Sequence, residues 1–153
     1  MKFYHFLLAG MGMFSAANAA NITVFYSPTC PHCHHARDFI KNELIYEYND
    51  LKVTEINATL AEHRQDFIDT LKKCEYTSGG VPVLVVGDKC FQGFGESVKE
   101  PMRAAIEIDL SEAQKKSANE NRAQLAKNHD DFVAKNAKRL EAIVTKDTDV
   151  KKN

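Results

Sequence analysis

The sequence predicts an α/β fold in which a small layered sheet is followed by a helical tail. Between residue 21 and about residue 110, the hydrophobic periodicity runs strand, helix, strand, helix, strand, strand, helix. Gly87-Asp88 separates the last two strands as a tight hairpin turn does. A βαβ unit followed by a hairpin and a helix, βαβαββα, is typical of one layered α/β domain.

The first three elements form the βαβ unit. Residues 22–26 are apolar and rich in β-branched and aromatic side chains, which indicates a strand. Residues 31 to about 45 follow as a helix, because four apolar side chains are spaced to line one helical face. These are Ala36, Phe39, Ile40 and Leu44. Residues 51–56 then alternate between apolar and polar side chains, as a half-buried strand does.

The remaining elements complete the predicted domain. A second helix takes roughly residues 59–73, with four apolar side chains turned inward. These are Leu60, Phe67, Ile68 and Leu71. Residues 82–86 are a continuous apolar strand, and residues 89–94 are its hairpin partner. A last helix spans about residues 97–110 and buries Met102, Ala105 and Ile106.

The N-terminus has the pattern of a secretory signal peptide over residues 1–19. A positive start is followed by a mostly apolar stretch over residues 3–14, and Ala17 and Ala19 form the A-x-A arrangement of a cleavage site. An uncleaved N-terminal anchor is the alternative, although the apolar stretch is short for a membrane span. We therefore expect a periplasmic or otherwise exported protein, with the α/β domain in residues 20–110 and no stable membrane insertion after cleavage.

Charge gives no reason to expect a polyanionic partner. The formal net charge of the 153 residues is −1, so neither nucleic acid nor an anionic membrane surface is an expected partner. The four cysteines are an even number, and all lie beyond the predicted signal. An exported compartment permits them to form disulfides.

Residues 111–153 form a tail of different composition. They are rich in Ala, Lys, Asn and Glu and contain neither Gly nor Pro. The second half has an apolar stripe at helical spacing, made of Phe132, Val133, Ala137, Leu140 and Val144. This charged, partly amphipathic helical tail is interpreted as docking on its own domain, as binding a partner or second copy, or as disordered.

The chemistry of the chain is concentrated in Cys30-Pro31-His32-Cys33. Two thiols at this spacing can close and open a disulfide reversibly. The strand before and the helix after place Cys30 at a helix N-terminus, where free N–H groups and the helix dipole favour the thiolate that attacks disulfides. His32 can add to this effect, and Pro31 fits the first helical turn.

This motif resembles the thioredoxin superfamily when it is taken with two features downstream. Gly80-Val81-Pro82-Val83 lies about fifty residues on, and the Gly87-Asp88 hairpin follows. The short connections are most similar to the glutaredoxin branch, and the Pro-His dipeptide and Val81 are similar to DsbA-type periplasmic disulfide oxidases. The resemblance covers about residues 21–108 and implies a thioredoxin-like, glutaredoxin-sized fold with a four-stranded mixed sheet.

The resemblance also implies a role for individual residues. Cys30 would be the exposed nucleophile and Cys33 the buried resolving thiol. Pro82 would be a cis proline beside them, and the backbone of Val81 would pair with an extended substrate segment. A cis X-Pro bond is rare and site-specific, and a proline presents no N–H to the sulfurs.

The chain departs from the family pattern at two places. Val24 stands six residues before Cys30, where thioredoxin-like enzymes often keep a buried carboxylate. Residues 93–97 read Gly-Phe-Gly-Glu-Ser, unlike the segment that glutaredoxins commonly present to glutathione. Help from a general base is therefore not expected at Val24, and the use of glutathione stays open.

Two metal-binding alternatives share the same motif. Cys30 to His34 satisfies C-x-x-C-H, the attachment motif of c-type haem, with Met102 as a candidate axial ligand. Cys30, Cys33, His34 and His35 also include ligand types that suit zinc or copper, as in a metallochaperone. Since no second ligand pair completes a closed site, we expect no metal and no cofactor.

Cys74 and Cys90 end the second helix and lie in the hairpin, respectively. A structural disulfide between them requires Cα atoms within about 7 Å. A second redox pair and two buried thiols are the alternatives.

The sequence therefore predicts an exported thiol-disulfide oxidoreductase that exchanges the Cys30–Cys33 disulfide with substrate proteins. Its partners would be proteins with thiols or disulfides, and a membrane or soluble redox partner that resets the pair. Whether it oxidises, reduces or isomerises its substrates stays open. A redox-inactive binding module on the same fold is the alternative from another class.

Overall fold

The structure, a computed structural model, describes residues 20–147. The predicted signal peptide and the last residues of the tail lie outside this range. The five strands are β1 (Asn21–Tyr26), β2 (Lys52–Asn57), β3 (Val83–Val86), β4 (Lys89–Gln92) and β5 (Ile143–Lys146). The α-helices are α1 (Pro31–Phe39), α2 (Ile45–Glu47), α3 (Arg64–Lys73), α4 (Glu96–Glu107), α5 (Glu112–Lys127) and α6 (His129–Lys135). A π-helical segment (Ile40–Leu44) joins α1 to α2, and 3₁₀ segments occur at Ala61–His63 and Ala137–Ala142.

The sheet is mixed, with the strand order β4-β3-β1-β2-β5. Strand β1 is parallel to β2 and antiparallel to β3, and β3 and β4 form the predicted hairpin. The fold class and the order βαβαββα are confirmed. The predicted number of strands is wrong by one, because β5 pairs in parallel with β2 and makes a fifth strand.

Helices cover both faces of the sheet. Ile22, Val24 and Tyr26 alternate along β1 and pack into the larger core with the buried side of α1 and with Met102 of α4. Phe25 points to the other face, where Phe67 of α3 packs against the smaller cluster. The four apolar side chains predicted to line the first helix are all buried. In α3, by contrast, Ile68 is exposed rather than inward.

A buried carboxylate joins three helices behind the sheet. Glu47, at the end of α2, is 1% exposed. Its Oε1 accepts a hydrogen bond of 2.6 Å from Arg103 of α4, and its Oε2 accepts one of 3.1 Å from Arg122 of α5. The hydrogen bond to Glu47 is the main cause that raises the pKa of Arg103 above its ordinary value. The tail helix α5 is therefore held to the domain by a paired, desolvated charge.

Within residues 20–147, the last element of the tail is a strand and not a helix. Phe132, Val133 and Leu140 of the predicted stripe pack against the core, as the docking interpretation expects. Val144 does not belong to this stripe, because it lies on β5 and is 55% exposed. The β-branched run from Ile143 to Thr145 favours an extended chain, and the open edge of β2 supplies its hydrogen-bond partners.

Candidate active site

The Cys30–Cys33 pair lies where β1 turns into α1. Cys30 is the N-cap of the helix, with extended φ and ψ of −90° and 115°, and Pro31 stands in the first turn. The Sγ atom of Cys30 accepts a hydrogen bond of 3.2 Å from the backbone N–H of Cys33. The two cysteines are disulfide bonded, with Cα atoms 5.2 Å apart. The same N–H would favour the thiolate of Cys30 once the pair is reduced.

The two sulfurs differ in access. Cys33 is 1% exposed and belongs to the main core, whereas Cys30 is only partly buried. An incoming thiolate therefore reaches Cys30 more readily than Cys33.

The proline loop lies against Cys30. The peptide bond between Val81 and Pro82 is cis, and the carbonyl oxygen of Val81 is 3.6 Å from Sγ of Cys30. The carbonyl of Pro82 accepts a hydrogen bond of 2.8 Å from the N–H of Gly93, so the hairpin holds the loop from the other side. The structure thus brings Cys30, Val81 and Pro82 together across 51 positions of the sequence.

The side chain of Gln92 fixes the chain before the cis bond. Its Nε2 donates hydrogen bonds of 2.8 Å to the carbonyl of Ser78 and 3.0 Å to the carbonyl of Gly80. Sequence reasoning missed Gln92, because a glutamine in a short hairpin strand carries no signal of what it faces. It makes the loop beside Cys30 an ordered element of the site.

Three histidines lie on α1, one between the two cysteines and two directly after Cys33. His32 is exposed in the first turn, and its ring lies edge-on to that of His35 with centroids 6.4 Å apart. Nε2 of His34 is 2.9 Å from the carbonyl oxygen of Pro28, so His34 braces the turn before the motif. His32 lies on the solvent side of the helix.

A buried charged pair lies beneath α1, and sequence reasoning did not identify it. Val24 pairs in register with Glu55 of β2, so both side chains face α1. Glu55 is 4% exposed, and its Oε2 accepts hydrogen bonds of 2.7 Å from Arg37 and 2.8 Å from the Thr145 hydroxyl. The guanidinium of Arg37 lies 4.1 Å from the ring centroid of Tyr26. A carboxylate is therefore present beside Val24, one strand away from where the family pattern has it.

Cys74 and Cys90 are disulfide bonded, with Cα atoms 5.8 Å apart. Cys74 caps α3 and Cys90 lies on β4. The loop that this bond closes contains Val81 and Pro82. The second disulfide thus ties down both ends of the segment that lies against Cys30.

The structure also places the candidate metal and haem ligands that the sequence offers. Within residues 20–147, no group of three or more His, Cys, Asp or Glu side chains is arranged to hold a metal ion. Met102, the candidate axial ligand of a haem, is fully buried in the core.

No helix within residues 20–147 is both long enough and apolar enough to span a membrane.

The similarity of this chain to known proteins covers part of its length. None of the curated proteins matches the chain. Among solved structures, the chain is similar to a glutaredoxin of Archaeoglobus fulgidus, with 22% identity, coverage of 58% of this chain and 88% of that chain, and a TM-score of 0.42. Residues 22–91 match the sequence model of the family described as Glutaredoxin. This matched segment contains the Cys30–Cys33 pair and Pro82, and in this part the chain is similar to the Glutaredoxin family.

Proposed function

We propose that the protein is an exported thiol-disulfide oxidoreductase that passes its Cys30–Cys33 disulfide to substrate proteins. The observation that carries this proposal is the disulfide at the N-terminus of α1, with Cys30 accessible and the carbonyl of Val81 3.6 Å from its sulfur. The glutaredoxin-family match supports thiol redox chemistry in general. Substrate, direction and compartment are our inference.

The exchange runs through a mixed disulfide on Cys30. A substrate thiolate attacks Sγ of Cys30, the bond to Cys33 breaks, and Cys33 leaves as a thiolate. A second substrate thiolate then attacks the substrate sulfur of the mixed disulfide, and Cys30 leaves as a thiolate. The substrate has lost two electrons and its two thiol protons, and the enzyme pair holds the electrons. A redox partner must reoxidise the pair before the next turnover.

The environment of Cys30 supports the oxidising direction. The N–H of Cys33 and the N-terminal end of α1 both favour a negative sulfur, and the thiolate is the form that Cys30 takes when it leaves. Stabilising the reduced form makes the disulfide a stronger oxidant. The Pro31-His32 dipeptide is similar to that of DsbA-type oxidases, which points the same way.

Export is the part of the proposal that rests on sequence. Residues 1–19 have the charge, apolar stretch and small residues of a secretory signal. Two disulfides in the described residues suit an oxidising compartment, where such bonds persist. We therefore propose the periplasm or another exported location.

The mechanism is tested with two cysteine variants. We expect Cys30→Ser to abolish the oxidation of a dithiol peptide, because no disulfide can form at the attacked position. We expect Cys33→Ser to accumulate a mixed disulfide on Cys30 with a peptide supplied as its disulfide, detected by mass spectrometry without reduction. Lys138→Ala, at an exposed position of the tail, is the control and should retain the activity. Oxidation of the peptide by the Cys30→Ser variant would contradict this mechanism.

The direction is tested by the reduction potential of the Cys30/Cys33 couple. We expect a value closer to about −120 mV, as in a strong oxidant, than to about −270 mV, as in a reductant. Equilibration with glutathione redox buffers, followed by alkylation of free thiols and mass spectrometry, measures it. A value at the reducing end overturns the oxidising direction and leaves the exchange mechanism standing.

A further inference from the structure

We propose that an acidic groove beside the redox pair selects protein substrates that carry lysine or arginine next to the reacting cysteine. This groove, called here the α1–α4 groove, is a cavity of about 510 Å³ lined by residues from His32 on α1 to Lys99 on α4. The inference rests on the proposed function, since it names the class of substrate that the same site takes.

The groove begins at the redox motif and continues away from it. His32 lies between the two cysteines in sequence and lines one end. Phe94 lines the other wall. It follows Gly93, whose N–H is hydrogen bonded to the carbonyl of Pro82. Its ring packs on Phe39 of α1 with centroids 5.7 Å apart, which gives the groove an apolar floor. A polypeptide whose cysteine reacts with Cys30 would therefore run over Phe94 with its neighbouring residues.

The rim of the groove is acidic. Asp38, Glu43 and Glu96 contribute three carboxylates, and Lys99 is the one ammonium among the lining residues. Nζ of Lys99 is 3.0 Å from Glu96 and 3.6 Å from Glu43, and the hydrogen bond to Glu96 is the main cause that raises the pKa of Lys99. The lysine thus stays charged and is shared between two carboxylates. Among the lining residues, carboxylates therefore outnumber ammonium groups by three to one.

Two of the carboxylates remain available to a partner. Glu43 is also bound by the guanidinium of Arg103, at 2.9 Å, so its charge is largely used within the protein. Glu96 has its side chain 87% exposed, and Asp38 is an exposed residue on α1. A basic side chain that enters the groove would meet Asp38, which Lys99 does not bind, and would share Glu96 with Lys99.

The N-terminus of α4 does not reverse this preference. Free N–H groups at a helix start favour anions, so an acidic ligand such as glutathione is the competing occupant. Glu96 stands in the first turn of α4 and places a carboxylate at the positive end of the helix dipole. Glutathione carries two carboxylates and one ammonium, so it would add negative charge to a rim that already has an excess. A basic polypeptide complements the rim, and glutathione does not.

Two dithiol peptides that differ only in the residues flanking one cysteine test the proposal, with Lys in one and Glu in the other. The rate of their oxidation by the oxidised full-length protein is measured. Each rate is divided by the rate of the same peptide with hydroxyethyl disulfide, because flanking charges alter the reactivity of the peptide thiol itself. We expect a corrected preference for the Lys peptide of about 5–10-fold at low salt, which falls to less than about twofold near 0.5 M salt.

Variants connect the preference to the groove. We expect Asp38→Asn/Glu96→Gln to reduce the corrected preference to less than about twofold at low salt. The control Glu112→Gln/Glu120→Gln removes two exposed carboxylates from α5, outside the groove lining, and should keep the preference. Equal rates for the two peptides, faster reaction of the Glu peptide or of glutathione, or a preference unchanged in the groove variant each overturn the proposal. If the protein oxidises neither peptide nor dithiothreitol, the proposed function fails as well.

Discussion

At the scale of single residues, the buried carboxylate of Glu55 beneath α1 shows what the alternation of side chains along one strand can and cannot predict. Residues 51–56 alternate, and the inward positions are Leu51, Val53 and Glu55. That pattern already placed a carboxylate on the core face, and it was the signal available for finding it. The contacts of Glu55 with Val24 and Arg37 depend on strand register and on the placement of α1, and the sequence of one strand does not contain this information.

Removing Arg37 should cost more than removing the charge of Glu55. Arg37→Met leaves a carboxylate that is 4% exposed with only the Thr145 hydroxyl as partner, and we expect a loss of about 3 kcal/mol in the free energy of unfolding. Glu55→Gln leaves a guanidinium whose side chain is 27% exposed and can be hydrated, so we expect a loss of about 1 kcal/mol. Urea denaturation of the oxidised proteins measures both values.

The control for this pair is Lys41→Met, an exposed position one turn further along the helical run from α1, where we expect a change of less than about 0.5 kcal/mol. The double variant Arg37→Met/Glu55→Gln should be more stable than Arg37→Met alone, because the unpaired charge is gone. If the double variant is the less stable of the two, buried charge is not the cause.

At the scale of elements, the tail is the part that the sequence predicted least well. The apolar stripe predicted docking, and Phe132, Val133 and Leu140 do pack on the core. Val144 also fits the helical spacing of the stripe, so it was predicted to lie on a helix. The four-residue strand that contains it is too short to be recognised within an Ala- and Lys-rich sequence typical of helices. What favours the strand is the open edge of β2, a tertiary feature.

Arg139 fastens this tail to the domain. Its guanidinium donates to the backbone carbonyls of Ile45, Tyr48 and Leu51, at 3.1, 2.9 and 2.9 Å. Arg139→Leu keeps an apolar stem and leaves these carbonyls without the donor, so we expect a loss of about 2–3 kcal/mol in unfolding free energy. The neighbouring exposed Lys138→Ala should change it by less than about 0.5 kcal/mol. Equal effects of the two changes, followed by thermal or urea unfolding, would refute the role of Arg139.

At the scale of the whole molecule, the elements predicted correctly are those marked in the sequence by short motifs and turn residues. The Cys30–Cys33 spacing, the Val81-Pro82 step and the Gly87-Asp88 turn are each short-range signals. With the hydrophobic periodicity, they indicated the succession of the first four strands and their helices along the chain. The fifth strand, the buried pair at Glu55 and the contacts of Gln92 arise from long-range packing. These three features could not be predicted from the sequence, because they depend on how the strands lie against each other.

The Cys74–Cys90 disulfide acts on the molecule as a whole, because it joins α3 on one face of the sheet to the hairpin and closes the loop that contains Pro82. Because its two cysteines are 16 positions apart, the bond restricts the unfolded chain and should stabilise the fold by about 3 kcal/mol. We expect Cys74→Ser/Cys90→Ser to lose this amount in urea denaturation under oxidising conditions. The informative control is chemical: full reduction removes the bond from the unsubstituted protein too, so the difference between the two proteins should shrink to less than about 1 kcal/mol. A difference that persists undiminished after reduction would mean that the serines disturb packing, and that the bond itself contributes little.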